Sequence, residues 1–126
     1  MLIRPVETQL DLIDILALQK KNTKTAIPLE ELETQGFVTV EHSLRQLEKM
    51  QALIPQIIAV ENQTLAGYAL SMTRELNATI PVLVPLFERL DTLRYNGCSV
   101  NELSYYVMGQ ICVDKNYRGQ GVFRQL

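Results

Sequence analysis

The chain is poor in the residues from which catalytic and metal centres are most often built. It has one histidine, His42, and two cysteines, Cys98 and Cys112. The cysteines lack metal-ligand spacing and make no disulfide framework, so no metal is assigned. An excess of one charge is missing too: 12 basic against 14 acidic residues leave a net charge of −2. That gives no basic face for nucleic acid. No apolar run approaches the roughly 20 residues of a membrane span. Met1-Leu2-Ile3-Arg4-Pro5 lacks the charged and apolar regions of a signal peptide. A cytoplasmic chain without nucleic-acid or membrane partners is expected. What is there is ordinary: 126 residues, 47% apolar and 21% charged, enough for one domain over 1–126 with a real core and too few for two.

Leu2-Ile3-Arg4 reads as a short strand stopped by Pro5. Leu12, Ile13, Ile15, Leu16 and Gln19 follow with helical spacing, Thr8 standing as N-cap before Asp11 and Lys20-Lys21 at the C-terminal end. From Asn22 to Phe37 the text is irregular. Pro28 opens an acidic piece, Glu30, Glu31 and Glu33, which ends at Gly36 and reads as a solvated helix turn. Thr39 is placed to cap a second helix through Leu44, Leu47 and Met50 to Leu53, stopped by Pro55. His42 falls in its first turn, a lone imidazole with no nucleophile nearby, and reads as a surface or packing residue.

Two apolar runs, 56–61 and 65–72, flank the polar turn Asn62-Gln63-Thr64 and predict a β-hairpin. Between Arg74 and Asn101 the spacing of Leu86, Phe87, Leu90 and Leu93 after Pro81 and Pro85 predicts a helix of about ten residues, closed by Asn96-Gly97. Its apolar stripe reads as core. Glu102 to Val113 then reads as a strand, with Tyr105 alternating against Tyr106 and a bulge at Gly109. Cys112, with no obvious acid or base partner, reads as a buried strand cysteine.

The last stretch, Gln110 to Phe123, reads as a strand end, a polar loop with two glycines and the first turn of a helix. Free N–H groups and the dipole at a helix start attract anions, and Gly119 and Gly121 allow close backbone approach. Lys115, Arg118 and Arg124 add positive charge. A Walker loop fails, because no Gly-Lys-Ser/Thr follows. A dinucleotide fingerprint fails too, since Arg124 stands where its third glycine belongs. Arg118-Gly119-Gln120-Gly121-Val122-Phe123 resembles the R/Q-x-x-G-x-G/A signature of the GNAT acyltransferase superfamily. The order of strand, two helices and hairpin upstream is similar as well, and Gly67-Tyr68-Ala69 resembles the start of the family's third strand. Two departures stand out. Phe123 replaces the usual Gly or Ala, and nearly thirty residues separate strands that the family often joins by a short turn, an insertion that could shape an acceptor pocket.

The resemblance implies an α/β (α+β) fold, a mixed and mostly antiparallel sheet with flanking helices, truncated after the start of the third helix. It implies an acetyl-CoA-dependent N-acetyltransferase acting on a small-molecule or peptide amine. Backbone groups of Ile111, Cys112 and Val113 would hold the pantetheine arm. The loop Arg118, Gly119, Gln120, Gly121, Val122 and Phe123 would hold the pyrophosphate. Where several members carry a glutamate base, this chain has Tyr105-Tyr106. Glu102 and Tyr105 are the candidate catalytic residues, Glu102 acting through water, although a phenol with a pKa of about 10 is a poor base. The family's remaining strand and its usual general acid would lie past Leu126. Poor turnover and a homodimer formed through the exposed fourth strand are the expected consequences, and a non-catalytic coenzyme A-binding or oligomerisation unit is the alternative.

Overall fold

A computed structural model describes residues 1–23, 25–32, 38, 40–76 and 79–126. The acidic positions at Glu33, the stop at Gly36, Phe37 and the expected cap Thr39 lie outside the described residues. The fold is mixed α+β. A four-stranded antiparallel sheet in the order β1 (Leu2–Pro5), β2 (Ile57–Glu61), β3 (Thr64–Met72) and β6 (Val107–Val113) carries helices on its faces.

Helix α1 (Gln9–Lys21) starts where expected. Thr8 accepts from the Asp11 N–H, and the Asp11 carboxylate returns the bond to the Thr8 N–H. Arg4 clamps the same carboxylate with two bonds of 2.8 and 2.9 Å, so the cap also ties α1 to β1. Its guanidinium, opposed by some burial and aided by two backbone N–H groups, holds the Asp11 carboxyl well below the usual range. A short α2 (Leu29–Leu32) follows Pro28. Helix α3 (Leu44–Leu53) begins where its apolar pattern does and later than a cap at Thr39 would imply. Ser43 and Gln46 form the capping box, which leaves His42 outside the helix.

β2 and β3 meet in a two-residue turn, with Asn62 and Gln63 both at positive φ. Beyond β3 the chain forms 3₁₀ turns at Arg74–Leu76 and Pro81–Leu83, then α4 (Val84–Asp91), whose Phe87 is fully buried. The helix is eight residues long and stops before Asn96-Gly97. Those two residues instead form the left-handed turn of a small hairpin, β4 (Arg94–Tyr95) with β5 (Cys98–Ser99). Asn-Gly satisfies a two-residue hairpin better than a helix end because both centres take positive φ. The strand expected from Glu102 begins only at Val107. Val100–Glu102 is a 3₁₀ turn, and β3 ends at Met72, the partner of Val107, so earlier residues have no strand to pair with.

The two faces of the sheet are unequally covered. Leu12, Ile15 and Leu18 of α1, Leu47 and Met50 of α3, and Phe87 of α4 pack with Ile58, Tyr68, Leu70, Met72 and Cys112 in one large core. On the other side Ala59 and Ala66 meet Val122 of α5 (Val122–Gln125), with Ile3, Val113, Tyr117 and Leu126 around them.

Candidate functional site

Among the described residues, the two candidate sites meet at β6. Leu70 pairs with Gln110 and Ser71 with Met108, so Gly109 is an extra residue without a partner, a bulge where the sequence expects one. A Cβ at 109 would run into the Met72 side chain. Beyond the bulge, the Asp114 N–H donates to the Ala66 carbonyl at 2.8 Å. Antiparallel alternation therefore turns the backbone groups of Gln110 and Cys112 toward β3 and those of Ile111 and Val113 toward the outer edge. Among the described residues no further strand lies on that edge.

The strand feeds a 3₁₀ turn, Lys115–Tyr117, capped by the Asp114 carboxylate on the Asn116 N–H. Gly119 and Gly121 both adopt left-handed backbone, at φ 75° and 82°, and an added Cβ at either would meet nothing within 4 Å. Conformation, not crowding by the protein, requires glycine there, and the space above the loop is open. Gly121 leads into α5, where Val122 is buried and Phe123 is 63% exposed. The Gln120 amide donates to the Asn116 carbonyl within the loop.

The cations are more committed than their spacing implies. Arg118 donates through Nε to the outward Val113 carbonyl at 3.0 Å and through Nη2 to Asn22 Oδ1 at 2.7 Å, tying the loop to the end of α1. Lys115 pairs with Glu31 at 2.7 Å. A cleft of about 270 Å³ runs between these two segments, lined by Lys21, Asn22, Glu31, Asp114, Lys115 and Arg118 among others.

A second pocket, of about 210 Å³, opens at the bulge. Leu70 and Met72 of β3, Gly109, Gln110 and Ile111 of β6, Met50 of α3, Leu83, and Val38, Val40 and His42 line it. Beneath it runs a continuous polar network. Gln19, almost fully buried, accepts the His42 backbone N–H at 2.7 Å and donates to His42 Nδ1 at 3.0 Å and to Gln110 Oε1 at 2.8 Å. Tyr68 donates to the same Gln110 oxygen at 2.6 Å, and the Gln110 amide donates to the Val40 carbonyl. Burial raises the Tyr68 phenol far above its ordinary value and lowers the His42 imidazole.

Of the residues singled out in the sequence, Ile111, Val113 and the loop 118–123 lie along one strand–loop–helix path. Cys112 is buried, its thiol pushed up by desolvation, and its backbone faces β3. Glu102 is exposed on its 3₁₀ turn, and Tyr105 is half-buried with its hydroxyl enclosed and unpartnered among the described residues. Neither lines the pocket at the bulge. Among the described residues no three His, Cys, Asp or Glu side chains converge as metal ligands, and no helix is long and apolar enough to cross a membrane. The network of Gln19, Gln110, Tyr68 and His42 is invisible to motif reading. Its signal was a glutamine on an apolar helical stripe and another inside an apolar strand, since buried polar groups demand partners. No family model, curated protein or solved structure matches this chain.

Proposed function

We propose that this chain is a GNAT-like acyltransferase domain, its β6–loop–α5 segment binding acetyl-coenzyme A for transfer of the acetyl group to an amine. The observation that carries the reading is the bulged strand running into a loop of two left-handed glycines with open space above them. The antiparallel order β1-β2-β3-β6, with α1 and α3 inserted between β1 and β2, supports it by its likeness to that superfamily. The outward N–H groups of Ile111 and Val113 suit the amide-rich pantetheine arm, and the N–H groups from Gly119 to Phe123 suit the pyrophosphate.

In such a transfer the amine nitrogen, unprotonated, attacks the thioester carbonyl carbon. The C–O π electrons move to oxygen, and a backbone N–H on the strand edge can stabilise that oxyanion. The nitrogen gives up a proton, the C–S bond breaks with its electron pair going to sulfur, the amide forms, and the thiolate takes up a proton, so that one proton passes in net from nitrogen to sulfur. Glu102 and Tyr105 remain the candidates for moving protons. The exposure of Glu102 and the enclosed Tyr105 hydroxyl favour a second reading, a coenzyme A-binding unit without turnover.

Calorimetry with coenzyme A tests the first reading. Gly121→Val puts a β-branched side chain both into a left-handed position and into the open cradle, and is expected to abolish binding. Unchanged affinity would reject the assignment. A radiolabelled acetyl-transfer assay over a panel of amines separates the two readings: binding without transfer leaves the non-catalytic unit.

A further inference from the structure

The pocket at the Gly109 bulge has its own chemistry, set by the direction of one amide. A backbone N–H can only donate, so the His42 N–H bond to Gln19 fixes the acceptor oxygen of that amide at His42. The nitrogen of Gln19 therefore donates to His42 Nδ1 and to Gln110 Oε1. With Nδ1 held as an acceptor, the neutral ring carries its proton on Nε2. Protonating Nδ1 would set an N–H against the Gln19 amide hydrogens. Among the described residues Nε2 has no partner.

Gln110, the other polar side chain of the lining, is largely spent, accepting from Tyr68 and Gln19 and donating to Val40. The remaining named walls are aliphatic or thioether, apart from backbone, and no carboxylate or cation lines the pocket among the described residues. A charged group entering it would lose hydration with nothing to replace it. Its volume of about 210 Å³ exceeds that of a cavity known to admit benzene, about 150 Å³.

We propose that His42, locked by Gln19 as the Nε2–H tautomer, is the neutral hydrogen-bond donor of a site for a compact uncharged group, aryl or branched aliphatic, that carries a hydrogen-bond acceptor. Gln19 is a positioning residue, and the apolar walls select size. In the acyltransferase reading this group is the non-reacting end of the acceptor amine. Only that last assignment rests on the reading; the site itself does not.

His42 is the chain's one histidine, so its imidazole signals are unambiguous in the full-length labelled protein. Long-range ¹⁵N–¹H NMR is expected to report Nε2–H, and titration with phenylacetamide is expected to move those signals saturably. Spermidine and acetate at equal concentration are expected to leave them still. Calorimetry with phenylacetamide, which does not need the imidazole signals, should show His42→Phe weakening binding about three- to tenfold, the worth of one hydrogen bond; full affinity would overturn the donor role. Leu83→Trp, which fills the pocket from the 3₁₀ turn, should abolish binding while keeping the unfolding transition. An Nδ1–H tautomer, saturation by spermidine, absence of a saturable phenylacetamide shift, or full affinity in a folded Leu83→Trp chain would each overturn the proposal. If His42→Phe fails to fold, His42→Leu, which also has no donor, takes its place, with the same weakening expected. Calorimetry with coenzyme A on the same samples keeps the two claims apart. Phenylacetamide binding without coenzyme A binding would uphold the pocket and remove the acceptor assignment.

Discussion

The two faces of the sheet are built on different scales. One is roofed by α1, α3 and α4 over large side chains; the other is closed by the four-residue α5, whose Val122 meets two alanines of the sheet. The difference separates stability from binding. Burial of large apolar side chains contributes most of what holds a fold together, and it lies on the roofed face. The glycine loop and Val122 stand on the thin side, where little packing resists local opening. The pocket at the bulge is the exception, since it sits within the roofed side beside Met50, Leu70 and Met72.

Substitutions on each face can break that contrast. Leu47→Ala, at a fully buried position of α3, should cost about 2–5 kcal/mol in denaturant unfolding. Val122→Ala removes about two methylene equivalents from the thin face and should cost about 1–2 kcal/mol. Equal losses would mean that the thin face shares the main load.

Asp11→Asn addresses the link between α1 and β1, and should cost about 1–3 kcal/mol at neutral pH through the lost Arg4 pair and weakened cap. The folded carboxyl sits below its unfolded value. Its stabilisation is therefore complete well above a pH of about 4 and is lost as pH falls below that. The gap in melting temperature between wild type and Asp11→Asn should close on acidification; a constant gap would assign the effect to shape instead of charge.

Gln63→Gly should stabilise by about 0.5 kcal/mol, because relief of a left-handed backbone cost of about 1–2 kcal/mol exceeds the extra chain entropy of glycine, about 0.5–1 kcal/mol. The turn belongs to neither face, so a loss of stability would show that the Gln63 side chain makes a contribution of its own. Light scattering at micromolar concentration tests the outer edge of β6, where an unpaired strand invites a second copy. A dimer that Val113→Pro disrupts and coenzyme A dissociates is expected, since pairing would use the same outward donors as the pantetheine arm; a monomer would reject pairing there.

Local signals were the legible ones. Thr8 with Asp11, the hairpin around Asn62-Gln63, the bulge at Gly109 and the glycines of the final loop are all decided by neighbours in the chain. Ser43 was obscured because Thr39 offered an equally good cap residue earlier. Asn96-Gly97 serves both a helix end and a hairpin, and only the pairing of Arg94 with Ser99 distinguishes them. Val107 as the start of β6 depends on where β3 ends, a fact about another strand. The inward commitment of Arg118 and the Gln19–His42–Gln110 network join residues as many as 96 and 91 positions apart, beyond the reach of any local pattern.

The bulge carries a last consequence, which concerns length and not chemistry. Every residue of β6 except Gly109 has a partner in β3. Deleting that single residue would leave each existing cross-strand pair intact and turn β6 into a regular strand. In most strands a one-residue deletion slips the register and throws the core side chains to the wrong face; here it would do the reverse. The frame of the sheet therefore tolerates a chain one residue shorter, and the extra residue is carried for the local twist and opening it produces. A shortened protein that folds yet loses the pocket would separate, in one edit, what the strand does for the fold from what it does for a ligand.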